Sequence, residues 1–168
     1  MIWTVSHRAD PLAKVLADRH YSRQTPDSPQ FVPPGRCLVL LAPGALWVTS
    51  WPEFARHHWP GAWVNTLFRR ERGEGHASDY IRAAVAATRA RYGDPPPLGM
   101  ITFVDASKVR YKRDPGRCYL RAGFRRDGET EGGLLAFRLA PEDMPPAEYA
   151  IGGQSGLFAC QFEPSSIS

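Results

Sequence analysis

The run Arg70-Glu71-Arg72-Gly73-Glu74-Gly75 is the stretch of this chain best suited to hold an anionic ligand. Two glycines, one residue apart, let the backbone turn tightly and approach a ligand closely. A strand-like run, Trp63 to Arg70, leads into them, and a helix-like run from Ser78 to Tyr92 follows. A helix N-terminus adds unpaired N–H groups and the positive end of a dipole. Strand, glycine loop and helix in that order suit a pyrophosphate. The second signal is charge. Between Asp105 and Arg126, eight basic residues face two acidic ones, a net charge of +6 against +4 for the whole chain. Lys108, Arg110, Lys112 and Arg113 form its densest part, with Tyr111 among them. Basic clusters with an interleaved aromatic suit DNA, through phosphate contacts and stacking on an extruded base. Arg19, Arg23 and Arg36 flank a proline-rich stretch and extend the same basic face.

Other chemistries find less support. No GxSxG marks a nucleophilic serine. Cys37, Cys118 and Cys160 are widely spaced, form no CxxC, and have no evident base nearby in sequence. His57, His58 and His76 lack zinc-site spacing, so no metal site is assigned and His57-His58-Trp59 reads as aromatic packing.

The elements that must position these residues follow from periodicity. Met1 to His7 alternates like a strand. Asp10-Pro11 reads as an N-cap with proline at the first helical position, with Leu12, Val15 and Leu16 as the apolar stripe of a helix ending near Arg19. Residues 22–36 form a long polar loop. Cys37–Leu41 and Ala45–Trp51 make a hairpin around Pro43-Gly44, and Ala62–Phe68 is the next strand. Ser78 is expected to cap a helix through Ile81, Ala84, Val85 and Thr88. Leu98–Val104 is an apolar strand, Asp114-Pro115 opens a short helix ending at Gly123, and Phe124–Glu129 and Leu134–Leu139 complete the set. The order β-α-β-β-β-α-β-α-β-β means an α/β layered domain.

With 168 residues, 43% apolar and 23% charged, the chain suits one globular domain. No apolar run approaches the roughly 20 residues of a membrane span, and no secretory signal is read at the start. A cytoplasmic protein without a membrane partner is therefore expected. Eighteen of the 21 basic residues are arginines. Their planar forks match phosphate oxygens bidentately.

Two motifs together carry a resemblance. The Arg70-x-x-Gly73-x-Gly75 loop between strand and helix is followed by Tyr119-Leu120-Arg121-Ala122-Gly123-Phe124. This resembles the GNAT superfamily of N-acetyltransferases over residues 1–140, leaving 141–168 as an irregular tail packed on or trailing from the domain. The resemblance implies a GNAT-like fold, a mixed central sheet with helices on both faces, and an acyl-CoA-dependent transferase using acetyl-CoA or a related acyl-CoA. It implies cofactor contacts from Leu67, Phe68, Arg69, Arg70, Arg72, Gly73, Gly75 and Ser78. Backbone at Leu67 and Phe68 would pair with pantetheine amides, and Tyr119 would protonate the departing thiolate.

His20-Tyr21 narrows this further. The segment Ala17 to Gln24 resembles the Mom-like DNA-modification family of bacteriophages, which carries a His-Tyr pair near its start. That likeness implies catalytic roles for His20 and Tyr21, and carbamoylmethylation of adenine N6 in DNA. It also raises iron at the pair, although two adjacent residues do not define a metal site. Two other readings remain open: an N-acetyltransferase acting on a small-molecule or protein amine, and a DNA-binding module that keeps the fold without catalysis. The net charge of +6 favours DNA over a small amine. Tyr119 and the glycine loop favour an enzyme over a binder.

Overall fold

The structure is a computed structural model, and it describes residues 1–54, 56–109 and 114–153. Strands β1 (Thr4–Val5), β2 (Arg36–Ala42), β3 (Ala45–Trp51), β4 (Trp63–Arg70), β5 (Met100–Val104), β6 (Arg125–Glu129) and β7 (Leu135–Leu139) form one sheet. Their spatial order is β1-β2-β3-β4-β5-β7-β6, and β4–β5 is the one parallel pair among them. That parallel step requires a crossover. Helix α2 (Ala77–Tyr92) supplies it. Helix α1 (Pro11–Asp18) packs on the opposite face, and α3 (Arg117–Arg121) lies beside α2. The sheet is thus mixed, with helices on both faces.

Strand alternation sorts the core into layers. Leu38, Leu40, Trp47 and Trp63 meet Ile81, Ala84 and Val85 of α2. Val39, Leu46, Val48 and Leu67 face Ala13, Leu16 and Ala17 of α1. Beyond α1 that second face is covered by a loop, whose Trp59 packs on Val64 and Ile101 and donates its Nε1–H to Asp127 at 2.9 Å. His57 stacks obliquely on Phe103 there, so His57-His58-Trp59 is an aromatic cover.

Several expectations are corrected in detail. Leu12 and Val15 are 67% and 49% exposed, so α1 does not bury the Leu12–Val15–Leu16 stripe. Its buried face is Ala13, Leu16 and Ala17, because small residues let the short helix approach the sheet closely. The cap of α2 is His76, not Ser78, so the helix begins directly after the glycine loop. Asp114-Pro115 forms a turn rather than the start of α3, and Gly116, with φ +84°, is the N-cap. Phe137 lies where a Cβ on Gly116 would sit, 2.4 Å away. β1 is only two residues long. Residues 141–153 are irregular apart from one turn of 3-10 helix, Pro141–Asp143, and pack on the domain: Met144 and Ala150 are buried, and Ile151 exchanges backbone hydrogen bonds with Trp3 and Val5. No helix among the described residues is long and apolar enough to cross a membrane.

Candidate active site

The site begins with a defect in the sheet. β3 and β4 pair regularly until the register shifts between Val48 and Thr49, which leaves Thr66 as an extra residue in β4. Asn65, just before this bulge, donates its side-chain N–H groups to the carbonyls of Val48 (3.0 Å) and Leu67 (2.9 Å). The amide thus satisfies carbonyls that the broken ladder would otherwise leave unpaired. On the other side, β4 and β5 pair only at Trp63–Met100, Val64–Ile101 and Asn65–Thr102. Past Asn65 the ladder ends while both strands run on, so a gap opens between them.

Tyr119 of α3 fills the base of this gap. Its hydroxyl donates to Asn65 Oδ1 at 2.7 Å, and Thr102 Oγ1 donates to the same oxygen at 3.1 Å. The ring stacks on Phe137 and meets Phe68 and Phe124 edge-on. Burial pushes its pKa well above the ordinary tyrosine value, so the phenol keeps its proton. The expected proton donor is therefore protonated, with that proton engaged by Asn65. Neither Asn65 nor Thr102 was read as a functional residue. The signal for both was a polar residue inside an apolar strand, which only a partner across the sheet explains.

His20 and Tyr21 arrive from the end of α1 and stack on each other at 4.4 Å. Burial, and then the Arg69 charge, lower the His20 pKa to about 4, while the Phe68 carbonyl pulls the other way. The ring is neutral at ordinary pH. Its Nδ1 accepts the Ser22 N–H at 3.2 Å and lies 2.7 Å from Ser22 Oγ. Burial raises the Tyr21 pKa, while a hydrogen bond from the Asp105 backbone at the end of β5 opposes it. Tyr21 also lies close enough to Cys118 and Tyr119 for its charge to be felt at both. The two residues therefore reach the ends of β4 and β5, and Tyr21 comes close to Tyr119.

The glycine loop adjoins α2 as expected, but the arginines there are differently employed. Arg70 folds inward, donating to the carbonyls of Gly73 (2.7 Å) and Gly75 (2.8 Å), and its guanidinium lies over the Tyr80 ring. Arg69 points to the α1 face, where it pairs with Glu71 at 2.8 Å and donates to the Arg19 carbonyl. Arg72 lies over Gly44 on the far side of the hairpin. Arg69 and Arg72 turn their charge away from the α2 N-terminus, because strand alternation directs them elsewhere, while Arg70 stays beside it with its guanidinium taken up by two loop carbonyls and the Tyr80 ring. A cleft of about 360 Å³ does open there, between the first turn of α2 and α3, and Ser78, Arg117, Cys118 and Arg121 line it. The exposed Arg117 and Arg121 form its cationic wall. At its rim Asp79 accepts the His76 N–H, closing the helix cap.

The donors of this cleft that suit the phosphates of an acyl-CoA are a helix N-terminus and two arginines, with Asp114 as a carboxylate in the same lining. Iron fits less well. His20 Nδ1 is taken by Ser22, Tyr21 is held as a phenol, and no group of three His, Cys, Asp or Glu side chains converges among the described residues. Arg23 is also reassigned. Its side chain is 10% exposed, bound to Asp18 at 2.8 Å and to the carbonyls of Ser28 and Gln30, so it pins the loop and offers no phosphate contact. Lys108 is 54% exposed, with Asp105 at 3.9 Å. Arg110, Lys112 and Arg113 lie outside the described residues. Comparison with known proteins returns no matching family model, no matching curated protein and no matching solved structure.

Proposed function

We propose that the protein is an acyl-CoA-dependent transferase of the GNAT fold that modifies a nucleobase amine in DNA, with adenine N6 as the acceptor. The observation that carries this is the gap where the parallel β4–β5 ladder stops at Asn65–Thr102, with Tyr119, His20 and Tyr21 around it and the α2–α3 cleft beside it. Fold alone does not decide chemistry; the side chains placed on it do. When bound, acyl-CoA supplies an activated acyl group. The α2 N-terminus, Arg117 and Arg121 hold phosphates, and the backbone of Leu67 and Phe68 orients the chain that leads into the gap. Phe68, Phe124 and Phe137 pack around Tyr119, whose hydroxyl proton rests on Asn65 Oδ1 and turns toward the departing sulfur in the reaction.

The DNA acceptor is supported by the net charge of +6 between Asp105 and Arg126, a segment that directly follows β5. The test is nucleoside mass spectrometry of DNA from cells producing the protein. A modified deoxyadenosine is expected, and its mass separates an acetyl from a carbamoylmethyl product. Unmodified DNA alongside acetylated small amines or proteins would instead move the acceptor out of nucleic acid.

A further inference from the structure

A second cleft, of about 400 Å³, lies on the α1 face of β4 beneath residues 22–33. It is lined by Ser22, Gln24, Thr25, Ser28, Gln30 and Thr66 among others. Arg23 also borders it, but its guanidinium is bound to Asp18 and to two loop carbonyls. The wall therefore offers hydroxyls and carboxamides in place of charge. Thr66, the extra residue of the bulge, carries a buried Oγ1 without a partner among the described residues. Such a wall suits a neutral, planar, hydrogen-bonding ligand with an amine, since glutamine carboxamides match the edge of a base.

Ser22 connects this cleft to the gap. Its Oγ lies 2.7 Å from His20 Nδ1, and its own N–H points to the same nitrogen. A nitrogen that accepts an N–H carries a lone pair, so the ring proton is on Nε2 and the Ser22 hydroxyl donates to Nδ1. Resting on the transferase reading, we propose that the acceptor amine sits in this cleft and gives its proton to Ser22 Oγ as Ser22 passes its own to His20 Nδ1. The amine lone pair forms the N–C bond to the acyl carbon, and the C–S bond breaks with its electrons on sulfur. Tyr119 protonates the sulfur and is reprotonated by water, while His20 releases its proton to water, so protons balance. As the N–C bond forms, the acceptor nitrogen becomes cationic and its proton acidic. A weakly basic imidazole then suffices.

Three measurements on the full chain test this. A long-range ¹H–¹⁵N spectrum should show His20 of the unmutated protein with its proton on Nε2, and Ser22→Ala, which keeps the backbone N–H on Nδ1, should keep that tautomer while losing the hydroxyl relay. A proton on Nδ1 in the unmutated protein overturns the route. Single-turnover rates with acetyl-CoA and an adenine-containing oligonucleotide should fall about 100-fold or more in Ser22→Ala, the range of proton-transfer catalysis. Ser22→Thr should recover most of the rate. The Ser22→Ala/His20→Ala double variant should be no slower than the slower single one, as for residues acting as a unit. Calorimetry on the same samples should give unchanged acetyl-CoA affinity. Normal turnover by Ser22→Ala overturns the proton route and leaves the transferase reading standing. Failure of the unmutated protein to bind acetyl-CoA removes both.

Discussion

Asn65 is the residue on which the site turns. Its amide mends the backbone at the bulge, and its oxygen holds Tyr119 and Thr102. Replacing Tyr119 by Phe removes one hydroxyl and leaves Asn65 Oδ1 with Thr102 as its remaining partner. The fold should lose about 1 kcal/mol, the net value of an ordinary hydrogen bond. Turnover should fall about 100-fold or more if the phenol presents a proton in the reaction. Urea unfolding and single-turnover rates separate the two effects. A stability loss with unchanged turnover would leave Tyr119 as a packing residue, held by Phe68, Phe124 and Phe137.

At the scale of elements, the glycine loop and α2 act as one unit. Gly73 has φ +119°, and a Cβ there would lie 2.3 Å from the Tyr80 hydroxyl. The need for glycine thus comes from packing under the loop as well as from any approach of ligand above it. Acetyl-CoA should raise the melting temperature of the unmutated protein by mass action. Gly73→Val should lower the melting temperature of the unliganded protein and also abolish the acetyl-CoA shift, because Tyr80 must move and Arg70 loses its stacking surface. Differential scanning fluorimetry reads both. A variant with a lower melting temperature but a full acetyl-CoA shift would place the cofactor away from this loop.

For the molecule as a whole, charge distribution is the lever. Phosphate contacts release counterions, so DNA affinity must fall as salt rises. Reversing charge at Arg110, Lys112 and Arg113 should weaken binding and flatten the salt dependence. Arg23→Glu should act differently. It breaks the bond to Asp18 and loosens the loop, lowering stability more than it changes the salt slope. Fluorescence anisotropy on duplex and single-stranded oligonucleotides across a salt series, with a melting curve for each variant, tests the pair. No affinity at low ionic strength would favour a small-molecule or protein amine as acceptor. Affinity without any modified nucleoside would favour a binding module.

The element order, the two faces of α2 and the strand–glycine loop–helix unit were legible in the sequence, because periodicity and turn chemistry are local properties of the chain. So was the +6 segment, since charge needs no folding to be counted. The exposed stripe of α1 was not, because helical periodicity marks a face but not whether Leu12 or Ala13 lies against the sheet. The directions of Arg23, Arg69, Arg70 and Arg72 were not, because a guanidinium goes to whichever carboxylate, carbonyl or ring the fold brings near. Asn65 and Ser22 were missed for the same reason. Asn65 acquires its contacts from a bulge in the β3–β4 register, and Ser22 meets His20 through the angle at which α1 delivers that ring. Register and approach angle are set by long-range packing, and only the tertiary structure decides them.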